Sequence, residues 1–385
     1  MSGDRRFQWT VALILFGVLF LGVSDTQLVA PLLPLIAENF GATPGHAGII
    51  VTTYSLAAAA FALFVGPLSD RVGRKKILLS GLALFSFSSF LTYHVSSFGA
   101  LVILRTMTGL AAGTLSTCAL SFAGDYYPYE QRGRAMGILS MGYFVAIVVG
   151  VPAGALAAAR LGWQWVFGCL SVAAAGMFMV GFRLPRDKTD WKSRRSRLSM
   201  IEHFGKTDRL AGMAAAFLTS GGLVGFLTYV GAWLKATHDV GIDRIGLVFM
   251  FSGLAAVAAS PLSGWLSDHA GKRTIVMWSN VLLAFLFVIV ARINWGLWLM
   301  IGIGMLSIAA SARQAPLHAL TTEIVGPEIR GEYIAMRNAA SQLGIATLAT
   351  ISATAFDSGG FTAVALVAAL ATLLVPICCI WLREP

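Results

Sequence analysis

Gly66-Pro67-Leu68-Ser69-Asp70-Arg71-Val72-Gly73-Arg74-Lys75-Lys76 is a short, densely charged turn set between two long apolar runs. It has an echo. Gly264-Trp265-Leu266-Ser267-Asp268-His269-Ala270-Gly271-Lys272-Arg273 repeats its Gly, Leu, Ser, Asp and second Gly, again followed by paired basic residues. The offset is 198 residues, about half of the 385-residue chain. Glu130-Gln131-Arg132-Gly133 and Glu328-Ile329-Arg330-Gly331 stand at the same 198-residue separation. Two matches at one spacing indicate a duplicated chain.

Composition fixes the solvent. Hydrophobic residues make up 57% of the chain and charged residues 12%, against roughly 25% charged for an average soluble domain. So much apolar surface requires lipid to cover it, and the 41 glycines suit helices that pack closely inside a bilayer. The net charge of +10 does not point to nucleic acid, because the basic residues gather in a few short loops, which is how membrane topology is written. Cys118, Cys169, Cys378 and Cys379 all fall inside apolar runs with neither metal-ligand nor disulfide spacing, and read as packing residues. Arg5 and Arg6 precede an apolar run too long for a signal peptide and without a small-residue cleavage site, so an uncleaved first helix is expected.

A spanning helix needs about 20 mostly apolar residues. Twelve such runs are present, at 9–37, 45–68, 76–95, 98–124, 135–158 and 164–184, then 209–234, 244–266, 274–292, 295–321, 332–356 and 361–382. The fold class is therefore an all-α membrane protein, with residues 1–185 and 209–385 as two six-helix bundles joined by a polar linker over 186–208. Alternate loops differ in charge. One set holds Arg160, Lys235, Arg244 and Arg292, while the other holds Arg71, Arg74, Lys75, Lys76, Arg132, Arg134, Lys272, Arg273 and Arg330 together with the basic linker. By the positive-inside rule both termini face the cytoplasm of a plasma-type membrane.

Twelve helices in two repeated halves, with this turn after helix two, resemble the major facilitator superfamily. Gly66, Leu68, Ser69, Asp70, Arg71, Gly73, Arg74, Lys75 and Lys76 fill that family's loop signature almost completely. Arg105-x-x-x-Gly109-x-x-x-Gly113 in helix four, and Gly142 with Gly150-Val151-Pro152-Ala153-Gly154 in helix five, resemble motifs of its drug:proton antiporter branch. Val151 departs from the adjacent Gly-Pro of that pattern, and Gly150-x-Pro152-x-Gly154 is closer to arabinose-efflux-like members, which leaves the substrate class open. The resemblance implies a latch that closes the cytoplasmic face: Asp70 on the start of helix eleven near Gly331, and Arg74 on Asp125 at the end of helix four. Asp268 stands at the repeated position. The plainer alternative is that the basic residues are topology anchors only, yet an anchor needs neither Asp70 nor Gly66 and Gly73.

Charges inside the bilayer ask for a reason, since each costs roughly 2.5–3.5 kcal/mol at a helix centre on insertion scales. Asp25 is the one acid deep in an apolar run; Arg105 and Arg313 are the deep bases, and Arg337, near the start of helix eleven, is placed to snorkel. Asp25, Arg105 and Arg313 have no charged counterpart 198 residues away. Duplicated motifs therefore serve the moving frame, and unmatched charges serve function. Asp25 is expected to carry a proton with Arg105 as its charge partner. Burial favours a neutral carboxyl and an adjacent guanidinium favours the anion, so moving either one switches protonation. A static pair that only joins two helices is the competing reading. Helices one and four line the central cavity in the family, which the resemblance extends to both side chains.

Gln27, Tyr54, Tyr143, Tyr229, Arg313, Gln314, His318, Asn338 and Gln342 are the polar candidates for a substrate cavity. With one deep acid against several deep bases, the expected substrate is a small neutral or anionic amphipathic molecule rather than a cation. The function expected is secondary active transport by alternating access, as proton-coupled efflux. The alternatives are proton-coupled uptake and a non-transporting sensor. There is no metal-ligand spacing, phosphate loop or paired membrane carboxylate, so no enzyme, metal or cofactor beyond the coupling proton is expected. The partners expected are the bilayer and one small solute, and the protein is expected to be a monomer.

Overall fold

Each apolar run is a helix because a backbone in lipid must satisfy its own polar groups. In the computed structural model, which describes residues 2–185, 206–325 and 330–382, the first half contains α1 (Ser2–Asn39), α2 (Ile49–Val72, preceded by a single turn at Pro44–Ala47), α3 (Arg74–Tyr93) and α4 (Phe98–Tyr126). It continues with α5, built from Tyr129–Val145, a π turn at Ala146–Gly150 and Val151–Leu161, and ends with α6 (Trp163–Gly181). The second half contains α7 (Thr207–His238), α8 (Ile242–Ala270), α9 (Lys272–Val290) and α10 (Leu297–Glu323). Its last helical stretch, Arg330–Ile380, is broken at Gly360, whose φ of 65° no helix contains. The two arms are α11 (330–359) and α12 (361–380). Twelve spans thus result among the described residues, in the order the hydropathy pattern predicts. Most of the linker expected over 186–208 lies outside the described residues.

The duplication is visible in the turns and in the packing. Gly73 and Gly271, the second glycines of the repeated motif, both have left-handed φ, 103° and 86°, and each ends one helix and begins the next. α2 packs on α4 and α3 on α4, and in the second half α8 packs on α10 and α9 on α10. Large apolar side chains such as Phe64, Ile103, Val172 and Trp298 point outward, as expected of helices solvated by lipid.

The face bearing the 66–76 and 264–273 turns is called the basic face. At the opposite face the halves close on each other. Thr43 donates from Oγ1 to Asp357 Oδ2 at 2.7 Å and the Gly45 amide donates to Oδ1 at 3.0 Å. Thr52 and Thr350 share a hydroxyl contact of 2.9 Å, and the Tyr229 hydroxyl lies against Gly48. Toward the basic face the contact is uneven. Leu63 of α2 still packs on the cluster formed by Met213, Tyr333 and Met336. α5 and α8 meet where Gly253 lies on Ile147 and Val148 and where Gly246 lies on Pro152 and Ala155, while Ser140 and Tyr143 of α5 and Ala256 and Ser260 of α8, nearer the basic face, line a cavity.

Candidate functional site

Asp25 and Arg105 come together inside the first bundle. Arg105 Nη1 donates to Asp25 Oδ1 at 2.7 Å, with the side chains 1% and 0% exposed. The guanidinium lies between two rings, 4.6 Å from the centroid of Tyr54 and 5.5 Å from that of Phe167, where π faces attract a cation that has no water. The Tyr54 hydroxyl shares a 2.8 Å contact with Thr26 Oγ1. Asp25 Oδ2, Arg105 Nε and the Ser24 hydroxyl are buried without a hydrogen-bond partner among the described residues. The pair is therefore strongly held at one oxygen and left unsatisfied at the other.

The helix-four motif explains how α4 reaches this depth. A Cβ on Gly109 would sit 2.2 Å from the Tyr54 carbonyl oxygen, so only glycine lets α4 approach α2 here. Gly109→Ala is expected to force the two helices apart and disturb the ring that covers Arg105, at an overpacking cost of about 1–3 kcal/mol. A lowered thermal midpoint of the purified protein in detergent checks this; an unchanged midpoint would show that the contact yields freely. The helix-five motif works likewise, with Gly150 against the Ser24 hydroxyl and Gly154 against Leu28 of α1. Pro152 lies two residues past the end of the π turn at Ala146–Gly150, and its missing N–H breaks the regular ladder there.

Between the bundles lies a cavity of about 490 Å³ whose lining reaches Ser140, Ser260 and His318, in the halves of α5, α8 and α10 nearer the basic face. Gln27, Ser140, Tyr143, Ser252, Ser260, Ser307, Ser311, Gln314 and His318 give it polar walls, and Phe144, Ile147, Leu223, Leu227, Phe249 and Leu306 give it apolar ones. Of the nine substrate candidates, Gln27, Tyr143, Gln314 and His318 line it. The other five do not. Tyr54 belongs to the Asp25–Arg105 nest and Tyr229 to the closed opposite face. Arg313 is enclosed in the second bundle, donating from Nη1 to Asn280 Oδ1 at 2.6 Å and from Nη2 to the Thr219 carbonyl at 3.0 Å. Asn338 and Gln342 are half-buried on α11 away from the cavity.

Asp25 and Arg105 are also off the cavity wall, contrary to the expectation that both line it. The reason is angular. At 3.6 residues per turn, two residues turn the helix by about 200°, so when Gln27 faces the cavity Asp25 faces α4. Arg337 differs too: at 4% exposed it does not snorkel. Its Nη1 donates to Thr321 Oγ1 at 3.1 Å, and its Nη2 lies 2.8 Å from His318 Nδ1.

On the basic face, Arg74 Nη2 meets Asp125 Oδ2 at 2.9 Å, the pairing that the resemblance implied, but it joins α3 to α4 within the first bundle and is made while this face is open, so by itself it does not latch the face shut. Lys75 donates to the Phe182 carbonyl at 2.8 Å and to that of Leu184, capping the end of α6, where a cation suits the helix dipole. Gly331 follows the first residue of α11. The Asp70 and Asp268 side chains and residues 326–329 lie outside what the structure describes. Thr26, Phe167, Asp357 and Asn280 also enter these sites without having been singled out in the sequence. Asp357 and Asn280, polar residues beside or within apolar runs, carry a usable signal, and Phe167 ends the Gly162-Trp163-Gln164-Trp165-Val166-Phe167 stretch that resembles the family; Thr26 carries none.

A model of the Major Facilitator Superfamily matches residues 15–242 and 212–385, two overlapping copies that together span nearly the whole chain. The MFS-type transporter YbcL of Bacillus subtilis is 23% identical over 95% of this chain and 93% of its own length. A chloramphenicol resistance protein of Streptomyces lividans is 27% identical over 70% of each chain. The multidrug resistance protein fnx1 of Schizosaccharomyces pombe is 29% identical over 55% of this chain and 40% of its own. The crystal structure of a D-xylose-proton symporter superposes with a TM-score of 0.81 over 96% of this chain and 97% of its own, at 14% identity, and so shares the fold. Matched along both halves and built as two copies of one helical plan, this chain belongs to the Major Facilitator Superfamily, a family of membrane transporters and not of enzymes.

Proposed function

We propose that the protein exports a small neutral or anionic amphipathic molecule in exchange for protons, by alternating access, with both termini and the basic face in the cytoplasm. The observation that carries this reading is the buried Asp25–Arg105 pair, with one carboxylate oxygen bonded and the other free. Protonating Asp25 removes the charge that holds Arg105, so the pair opens; losing the proton closes it again. The conformation seen, sealed at the opposite face and open at the basic face, is then the inward-open one, with the pair closed after proton release. Drug-resistance relatives support export. Coupling is energetically sufficient: one proton crossing about 150 mV supplies roughly 3.5 kcal/mol, enough for a solute gradient of several hundredfold.

The test is the sign of a pH change. Purified protein is placed in vesicles containing a pH-sensitive dye, and chloramphenicol is added outside as a first solute. Exchange makes the lumen alkaline as solute enters, whichever way the protein is inserted. An acidified lumen would replace export with proton-coupled uptake. An unchanged lumen across a panel of amphipathic solutes would leave the protein no proton-coupled role.

A further inference from the structure

Three hydroxyls on the cavity wall have their protons engaged within the protein. Ser307 Oγ donates to the Ile303 carbonyl at 2.9 Å, one turn back on α10. Ser252 Oγ of α8 lies 2.8 Å from Ser307 Oγ. A hydroxyl carries one proton and two lone pairs, so with the Ser307 proton on Ile303 it is Ser252 that donates to Ser307. Ser311 Oγ, one turn further along α10, donates across to the Ala256 carbonyl of α8 at 2.9 Å. All three serines line the cavity, and what they leave for a ligand is lone pairs. Ser307 and Ser311 share one helix face about 5–6 Å apart, and Ser252 extends the row from α8. The row stands in the part of the cavity farther from the basic face, since Ser252 and Ser307 are each ten residues past the helix starts at Ile242 and Leu297. No Asp, Glu, Lys or Arg lines the cavity among the described residues.

We infer that Ser252, Ser307 and Ser311 form an acceptor row that selects an uncharged molecule with two hydrogen-bond donors, such as the hydroxyls of a diol, beside an apolar body. A carboxylate brings only lone pairs, which would be set against those of the serines. An ammonium finds no acid among the described lining residues to offset the cost of its burial. A neutral O–H or N–H meets neither penalty and bonds to oxygens that are already held in place. The apolar body has Ile147, Leu227, Phe249 and Leu306 to pack on. Gln27, Tyr143 and Gln314 line the same cavity and keep hydrogens of their own, so they can serve acceptors elsewhere on the molecule. The substrate class is an amphipathic neutral diol or its N–H equivalent. This rests on the transport reading above and narrows its substrate from neutral or anionic to neutral.

The experiment compares 1,3-dihydroxynaphthalene, its dimethyl ether and 2-naphthoate, binding to the full-length protein in detergent at neutral pH by titration calorimetry. The wild type is expected to bind the diol about tenfold or more tighter than the ether, the scale of two neutral hydrogen bonds, and to bind 2-naphthoate more weakly than the diol. The ether is the more apolar probe, so burial of apolar surface alone predicts the reverse order. Replacing Ser307→Ala and Ser311→Ala together is expected to bring the ratio to about one by weakening the diol. Alanine suits a helix at least as well as serine, and an ether that still binds shows that the cavity has kept its shape. Equal or reversed affinities for diol and ether in the wild type, tighter binding of 2-naphthoate than of the diol, or an unchanged ratio in the double variant would overturn the assignment. The wild-type comparison needs no variant, so a double variant that misfolds leaves the proposal open to refutation. Binding is read without a gradient, so the two readings fail separately. A missing diol preference beside a solute-driven pH change in vesicles sinks the acceptor row alone. A clear preference with no solute or proton flux sinks the transport reading alone.

Discussion

Replacing Asp25 by Asn is expected to abolish uphill transport while downhill exchange of the same solute survives. The substitution keeps the side-chain shape and an oxygen for Arg105 Nη1, but removes the one acid that is buried in the spans among the described residues. Without a titrating group, several hundredfold accumulation collapses to a ratio of about one, the ratio that no driving force supports. Binding is spared because Gln27, and not Asp25, stands on the cavity wall. Vesicles that carry the variant should show solute-for-solute exchange and no solute-driven pH change. If proton-driven accumulation persists at the wild-type level, Asp25 and Arg105 form only a helix-joining pair. The variant also leaves Arg105 without its counter-charge, so a drop in thermal stability is expected beside the functional loss.

The second large effect is expected at the closed face, from Gly231→Ala. Pro34 has no N–H, so the carbonyl of Ala30 one turn earlier loses its helical partner. Gly231 of α7 lies against this oxygen. A Cβ there would be 2.3 Å from it and 3.1 Å from Pro31 Cα, both backbone atoms that cannot swing aside. The clash is between the bundles, so it acts on closure and not on the folding of either bundle. An overpacking cost of about 1–3 kcal/mol shifts the balance of the two conformations by roughly 5- to 150-fold toward the state open at this face. Transport should fall accordingly with expression unchanged. Thiol labelling at Thr52→Cys, which sits in the closed seam opposite Thr350, should accelerate in a background with Cys169 replaced by Ser. No change in labelling rate would show that the seam is held elsewhere.

Much of the architecture was legible because lipid enforces it. A run such as 274–292 has few alternatives to a spanning helix, and the Gly73 and Gly271 turns carry their left-handed backbone wherever the motif occurs. The Arg74–Asp125 pairing followed from the resemblance. Facing was harder to read. Helices that meet lipid on one side and protein on the other are apolar all round, so no hydrophobic stripe shows which side of α1 or α11 turns inward. The sequence therefore does not show that Asp25 turns toward α4 while Gln27 faces the cavity, or that Asn338 and Gln342 stand off it. Arg337 shows a different limit. Its nearness to a helix start favoured snorkelling, and only the tertiary approach of α10 supplies the Thr321 hydroxyl and the His318 ring that keep it inside.

The uneven seam between the bundles has a mechanical meaning. α2 and α11 are joined at Thr52–Thr350 and again at Leu63, while α5 and α8 flank the cavity on the basic side of Ile147 and Gly253. The opening is thus a wedge, like a door hung on one jamb, whose travel grows with distance from the hinge line along α2 and α11. Ser140, Tyr143 and Ser260 stand at its wide edge. A bulky solute clears the threshold there first, and a small rotation about the far jamb is enough to admit or exclude it.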